Sequence, residues 1–119
     1  MQKPITKEQI EKEPAGPRID ALFAELVMGW KEYPDERGWW LTNDKKQQLK
    51  LKFNPSTNIS HAMEGLNKHI DEIRVFDMVY LPFVKRWMIR TRFNNNFADD
   101  EKLELAITRA LLMWAVEGK

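Results

Sequence analysis

The chain alternates between two spacings of apolar residues, and this alternation limits its fold more than any other feature. Apolar residues recur at helical spacing in 19–31, 59–73 and 103–116, which predicts a helix in each segment. Apolar and charged residues alternate in 49–53 and 84–93, which predicts strands between those helices. The order of helix, strands, helix, strands, helix predicts an α/β (α+β) domain with a small, mostly antiparallel sheet.

A single domain fits the length of 119 residues. Residues 1–17 are charged and contain a short predicted helix that Pro14 ends, so we interpret them as an N-terminal arm. The domain itself spans 18–119. Within it, 39–42 is a further candidate strand, and a hairpin with 49–53 is the natural connection.

The composition excludes several classes of protein. Hydrophobic residues make up 43% of the chain and aromatic residues 11%, which is enough to bury a core and excludes global disorder. The absence of cysteine excludes disulfides, thiolate metal ligands and a thiol nucleophile. A net charge of +1 argues against histone-like binding, and specific recognition of nucleic acid is not expected. Since neither a signal-like N-terminus nor an apolar run of about 18 residues is present, we expect a cytoplasmic protein with no membrane partner.

Three segments share their pattern with a known family. IDALFAELVMGW at 19–30 resembles an opening helix, STNI at 56–59 resembles a Ser-Thr-Asp-Ile start to a central helix, and AITRAL at 106–111 resembles a final helix. Together they resemble the phage ABA sandwich domain over roughly residues 18–116. The first segment is the most specific of the three.

The resemblance implies a three-layer-like helix/sheet/helix sandwich, encoded by phages or prophages, with no established catalytic activity. The chain departs from the family pattern at three positions. Asn58 stands where an Asp is usual, Met63 where a Trp is common and Thr108 where a Cys is common. The resemblance therefore concerns fold and origin, and the function has to be argued from the residues.

Residues suited to catalysis or to holding a metal are sparse. The two histidines, His61 and His69, lie eight residues apart on a predicted helix, about 12 Å along its axis, so they cannot share one metal ion. We interpret both as solvated residues of the helix surface. The acidic run 99–101 is typical of a helix N-terminus, and no phosphate-binding glycine loop or nucleophile motif is present. We therefore expect no catalytic residue, no metal, no cofactor and no enzyme activity.

Cationic side chains alternate with apolar ones on the predicted strands. The candidate anion-binding residues are Lys50, Lys52, Arg86, Arg90 and Arg92. If the two strands share a sheet and direct their apolar residues into the core, these five cations lie on one face, where lysine and arginine suit phosphate or carboxylate. The alternatives are a solvated face with acidic partners, or cations that pair or lie at edges because helices cover the sheet.

Two further features are candidates for ligand contacts. Ser56 and Thr57 precede a helix, where N–H groups and hydroxyls can bind an anion, or where one hydroxyl simply caps the helix. Trp39 and Trp40 are adjacent on a strand and point to opposite faces. Either one of them, with Trp40 as the candidate, is exposed and stacks on a ligand, or both are buried.

The last predicted helix has an unusually broad apolar arc. It is therefore either deeply buried or part of an interface, and in the second case a homodimer would bury Leu112, Met113 and Trp114 across a two-fold axis. Arg109 interrupts the same helix. It is either a surface residue or the buried partner of an acid such as Asp20 or Glu25.

Two functional hypotheses follow from these features. The leading one is a non-enzymatic accessory protein, acting in the host cytoplasm, that captures an anionic small molecule such as a nucleotide signal on the cationic residues. The alternative is a protein-interaction or self-assembly module without a small ligand, with a host protein or a second copy as its partner.

Overall fold

The computed structural model describes residues 5–33, 38–69, 71–73, 77–90 and 97–117. The helices in this part of the chain are α1 (Lys7–Lys12), α2 (Pro17–Leu22), α3 (Ile59–His69) and α4 (Leu103–Glu117). The strands there are β1 (Lys31–Glu32), β2 (Trp39–Leu41), β3 (Gln47–Leu49), β4 (Asp77–Leu81), β5 (Arg86–Arg90) and β6 (Phe97–Asp100). A π-helical turn, Phe23–Val27, continues α2, and a 3-10 turn, Lys50–Lys52, follows β3.

The strands form two antiparallel sheets of three strands each, in the orders β1-β2-β3 and β4-β5-β6. In the first sheet Trp40 pairs with Glu32 on β1 and with Gln48 on β3. In the second sheet Ile89 pairs with Met78 on β4 and with Ala98 on β6. The mixed α+β class is confirmed. The two basic segments, for which a shared sheet was considered, belong to different sheets.

The predicted strand at 49–53 is only partly correct. β3 ends at Leu49, and the chain turns through a 3-10 helix before Phe53. Leu51 is 83% exposed whereas Phe53 is 3% exposed, so the two residues do not lie on one buried face as strand alternation requires. The turn instead directs the Phe53 ring onto Trp30, at 4.5 Å between ring centroids. The predicted hairpin with 39–42 is present as β2–β3.

Helix α4 lies at the centre of the core. It contacts α1, α3, the π-helical turn, β5 and β6. Leu112, Met113 and Trp114 are all buried against these elements. The sequence analysis considered two roles for this helix, deep burial and a dimer interface. The structure shows the first, because the three residues proposed for the interface are buried within their own chain.

Arg109 joins α4 to the N-terminal arm. Its Nη1 lies 3.3 Å from Asp100 Oδ1, and its Nη2 donates to the Glu13 carbonyl oxygen at 2.8 Å. Of the two predicted roles, partnership with an acid is confirmed. The acid is Asp100, however, and not Asp20 or Glu25, because β6 ends directly beside the first turns of α4.

Helix α2 continues into the π-helical turn, and the carbonyl of the last residue of this turn, Val27, accepts a hydrogen bond from α3. Met28 N–H donates to the Phe23 carbonyl at 3.1 Å, and Gly29, at φ +74°, then ends the helix. His69 Nε2–H donates to the Val27 carbonyl at 2.5 Å. The prediction that His69 is solvated is therefore wrong: it is buried and fastens the end of α3 to this turn.

Gly65 allows α3 to lie against the π-helical turn at close range. A Cβ atom at this position would lie 2.8 Å from Phe23 Cε1 and 3.0 Å from Val27 Cγ1, and still closer to Phe23 Cζ. Phe23 and Val27 are fully buried and have little room to move. The glycine therefore lowers the helix propensity of α3 in exchange for contact between two helical segments.

We predict that Gly65→Ala destabilises the protein although alanine is the better helix former. Alanine gains about 1 kcal/mol in propensity, whereas overpacking a core costs about 1–3 kcal/mol. The net effect is a fall of up to about 2 kcal/mol in the free energy of unfolding in urea. Gly38→Ala is the control, because nothing lies within 4 Å of a Cβ there. A Gly65→Ala variant more stable than Gly38→Ala would contradict the close approach.

Candidate functional site

A cleft of about 490 Å³ opens beside the start of α2, the first sheet and the segment that leads into α3. Its apolar lining includes Trp40, Leu49, Leu51 and Phe53. Its polar side chains are Asp20, Lys50, Asn54 and Thr57. The structure thus brings together three of the predicted ligand-binding residues, Trp40, Lys50 and Thr57.

A buried hydrogen-bond network beside the cleft joins the start of α2 to the segment before α3. Ser56 N–H donates to Asp20 Oδ1 at 2.8 Å, and the Ser56 hydroxyl also hydrogen-bonds to this carboxylate. Gly16 N–H donates to Ser56 Oγ at 3.1 Å, from a backbone at φ +150° that favours glycine. Asp20 and Ser56 are both buried, so the network fixes two segments that are 36 residues apart in sequence.

The residues at the start of α3 have different roles from those predicted. Asn58, and neither Ser56 nor Thr57, caps the helix: its Oδ1 accepts a hydrogen bond from His61 N–H at 3.3 Å. Ser56 is fully buried in the network, which removes it from direct contact with a ligand. Thr57 is exposed, and its hydroxyl donates to the Asn54 carbonyl at 3.4 Å, a long contact that a ligand oxygen can replace.

Asp20 and Asn54 are the polar residues of the cleft that the sequence analysis missed as site residues. Burial raises the pKa of the Asp20 carboxyl group, while hydrogen bonds from the Ser56 backbone and side chain and the charge of His61 oppose the rise. At the level of sequence, Asp20 is only an acid near a helix start. No spacing rule connects it with Ser56, because the contact is made by tertiary folding.

Lys50 is the cation of the cleft and already has two partners. Its Nζ lies 4.4 Å from the centre of the Trp40 ring and 3.5 Å from Glu32 Oε1. Trp40 is buried, so of the two predicted states burial is correct for this residue, and Lys50 covers its ring. The Glu32 side chain is half exposed, and such ion pairs contribute little to stability, so an anionic ligand can replace Glu32 at small expense.

The other predicted anion-binding residues lie elsewhere. Lys52 is exposed on the 3-10 turn and is not part of the cleft lining. Arg86 and Arg90 lie on β5 of the second sheet, and Arg90 is ion-paired with Asp77 on β4. Arg92 falls outside the described residues. The condition for a single cationic face, a sheet shared by the two basic segments, is not met, because one segment follows β3 of the first sheet and the other includes β5 of the second.

Both histidines have structural partners. His61 Nδ1 accepts a hydrogen bond from Asn54 N–H at 3.1 Å, and its ring stacks on Phe53 with centroids 5.2 Å apart. His69 is bonded to the Val27 carbonyl. Among the described residues, no group of three His, Cys, Asp or Glu side chains could hold a metal ion.

The family model of the phage ABA sandwich domain matches residues 21–112 of the 119. The chain belongs to this family, so the resemblance in its three sequence segments is confirmed. The match includes β1–β6, α3 and most of α4, whereas Gly16, Pro17 and Asp20, which line the cleft, lie just before it. No curated protein and no solved structure matches the chain. None of the helices in the described ranges is long and apolar enough to span a bilayer.

The raised pKa of Asp20 predicts how stability depends on pH. Between pH 3.8, the ordinary value, and the raised pKa, the folded state binds more protons than the unfolded state. The free energy of unfolding therefore falls as the pH rises through this window. Asp20→Asn keeps an acceptor for Ser56 N–H but does not titrate, so it should lack this loss. Urea unfolding from pH 4 to 8 measures the difference.

Asp44→Asn is the control for this measurement. The Thr42 hydroxyl bond, 2.5 Å long, lowers the pKa of Asp44, so Asp44 loses its contribution only as the pH falls below 3.8. Its profile above pH 4 should parallel that of the unsubstituted chain. A parallel profile for Asp20→Asn as well would show that Asp20 has no raised pKa.

Proposed function

We propose that the chain is a non-enzymatic accessory protein, encoded by a phage or prophage, that binds an anionic small molecule in the cleft. The ligand class that fits best is a nucleotide, including nucleotide signals of the host cytoplasm. The observation that carries this proposal is the convergence of Lys50, Thr57 and the apolar lining in one space, beside the segment that resembles a family motif.

The shape and lining of the cleft support a small ligand. Its volume of about 490 Å³ falls within the range of about 300–1,000 Å³ that is usual for ligand sites. Such sites are mostly apolar with a few polar groups that orient the ligand. Here Leu49, Leu51 and Phe53 offer apolar surface for a planar base.

The polar groups of the cleft suit the two ends of a nucleotide. Lys50 supplies a positive charge and Thr57 a hydroxyl donor for phosphate oxygens. Asn54 offers a carboxamide for hydrogen bonds with the edge of a base. The carboxylate of Asp20 would repel a phosphate placed beside it, so the phosphate is expected at Lys50.

The same residues support binding without catalysis. Nucleophilic or acid–base catalysis needs convergent titratable groups that are free to react. Asp20 is occupied by Ser56, and His61 Nδ1 is occupied by the Asn54 backbone. Asp20 and His61 are thus engaged in holding the fold, and Lys50 and Thr57 are the groups that remain to recognise a ligand.

We predict that Lys50→Met weakens nucleotide binding by about tenfold or more, because a charge-assisted hydrogen bond is lost. Linear and cyclic nucleotides are first screened by thermal shift at low salt. A ligand at about 100 times its dissociation constant adds about 2.7 kcal/mol, on the order of 10 °C for a domain of this size. Titration calorimetry then compares the variants.

Lys52→Met is the matched control, since it removes the same charge two residues away from a side chain outside the cleft lining. It should change the affinity by less than about twofold, the effect of a distant charge in salt. Equal losses of affinity in Lys50→Met and Lys52→Met would show that nucleotides are attracted by the overall charge and do not bind in the cleft. The proposal fails if no nucleotide shifts the melting temperature.

The alternative hypothesis, a protein-interaction or self-assembly module, loses its original basis because the α4 residues are buried. A different surface, the β4–β5 hairpin, carries exposed apolar residues.

A further inference from the structure

The first sheet holds Lys50 so that the cleft presents its positive charge at a defined position. Lys50 N–H donates to the Gly38 carbonyl at 2.9 Å, which joins the 3-10 turn to the residue before β2. β1 and β2 pair Glu32 with Trp40, so both side chains lie on the same face of the sheet. Lys50 Nζ contacts both, at 4.4 Å from the ring centre of Trp40 and 3.5 Å from Glu32 Oε1.

The charges around the cleft match one negative charge on a ligand. Among the described residues of the lining, Lys50 is the single cation, and Asp20 can add only negative charge. Arg18, two residues before Asp20, lines a different groove and is paired there with Glu13, at 3.3 Å between Nε and Oε1. A singly charged group that takes the place of Glu32 on Lys50 therefore leaves the charge balance of the cleft unchanged.

A second negative charge on the ligand is costly in this cleft. The free energy lost when an ion leaves water grows with the square of its charge, whereas its attraction to one cation grows only in proportion to the charge. The side chains of Leu49, Leu51 and Phe53 offer no hydrogen bonds to replace the lost water. Since the Asp20 carboxylate also repels an anion, a single charge gives the most favourable balance.

We propose that the ligand is a monoanion whose charged group takes the place of Glu32 on Lys50. This inference rests on the proposed nucleotide binding and narrows the class of nucleotide. A terminal phosphate carries about 1.5 to 2 negative charges at neutral pH, and a triphosphate carries more, whereas a phosphodiester carries one. A cyclic mononucleotide meets the condition, because one phosphodiester is its only charge. Glu32 is then a specificity-determining residue that competes with the ligand for Lys50.

A series of ligands that differ in charge measures this selection. Titration calorimetry at pH 8, without divalent cations, compares the ribonucleosides of the four common bases with their 3′,5′-cyclic monophosphates, 5′-monophosphates and 5′-triphosphates. For the preferred base, the cyclic monophosphate should bind about tenfold more tightly than the nucleoside, because Lys50 recognises its charge. It should also bind about fivefold more tightly than the 5′-monophosphate or the triphosphate, whose additional charge has no partner.

Glu32→Gln tests the exchange at Lys50. Without the competing carboxylate, the cyclic monophosphate should bind about two- to fivefold more tightly, the fold-change that corresponds to the loss of a half-exposed ion pair. The affinity of the uncharged nucleoside should not change. Glu11→Gln is the matched control, because it removes the same charge from an exposed position of α1 outside the cleft lining, and it should leave every affinity nearly unchanged.

Three results would overturn the inference, and they differ in what they mean for nucleotide binding. Binding of a 5′-monophosphate or triphosphate as tight as that of the cyclic ester, or tighter, would exclude selection for one charge and leave the proposed function in place. Equal effects of Glu32→Gln and Glu11→Gln would exclude the exchange with Glu32. If none of these compounds binds, this inference and the proposed function fail together.

Discussion

The hydrogen bonds between Asp20 and Ser56 are the contact on which the arrangement of the domain depends. They hold the start of α2 against the segment that leads into α3, and Gly16 closes the network from the other side. Asp20 and Ser56 are buried and Gly16 is half-buried, so removal of one member leaves a buried polar group of another without its partner, which costs more than a single hydrogen bond contributes. Because this loss is large, a network of a few hydrogen bonds strongly constrains the positions of the two segments.

The same contact explains why two of the family-like sequence segments belong together. One begins at Ile19 and contains Asp20, and the other begins at Ser56, so the hydrogen bonds join the two motifs directly. With these ends fixed, α3 lies along the π-helical turn, where Gly65 and His69 make its closest contacts. The cleft is the space left between this joint and the first sheet, which is why its polar groups come from distant parts of the chain.

Local patterns predicted the elements well, and contacts between distant residues could not be predicted from them. Helices α3 and α4 follow from apolar periodicity, because burial of one face repeats every turn. The segment 49–53 alternates like a strand, yet Leu51 is exposed, since the turn before Phe53 is set by packing on Trp30. The division of strands into two sheets, and the burial of Asp20, likewise depend on tertiary contacts that no spacing encodes.

A double-mutant cycle between Asp20 and Ser56 tests the central claim most directly. The free energies of unfolding of Asp20→Ala, Ser56→Ala and the double variant are measured in urea at neutral pH and compared with the unsubstituted chain. The network predicts that the double variant loses less than the sum of the single losses, with a coupling of about 1–3 kcal/mol. Additivity within about 0.5 kcal/mol would show that the two residues act independently and that the joint does not hold the domain together.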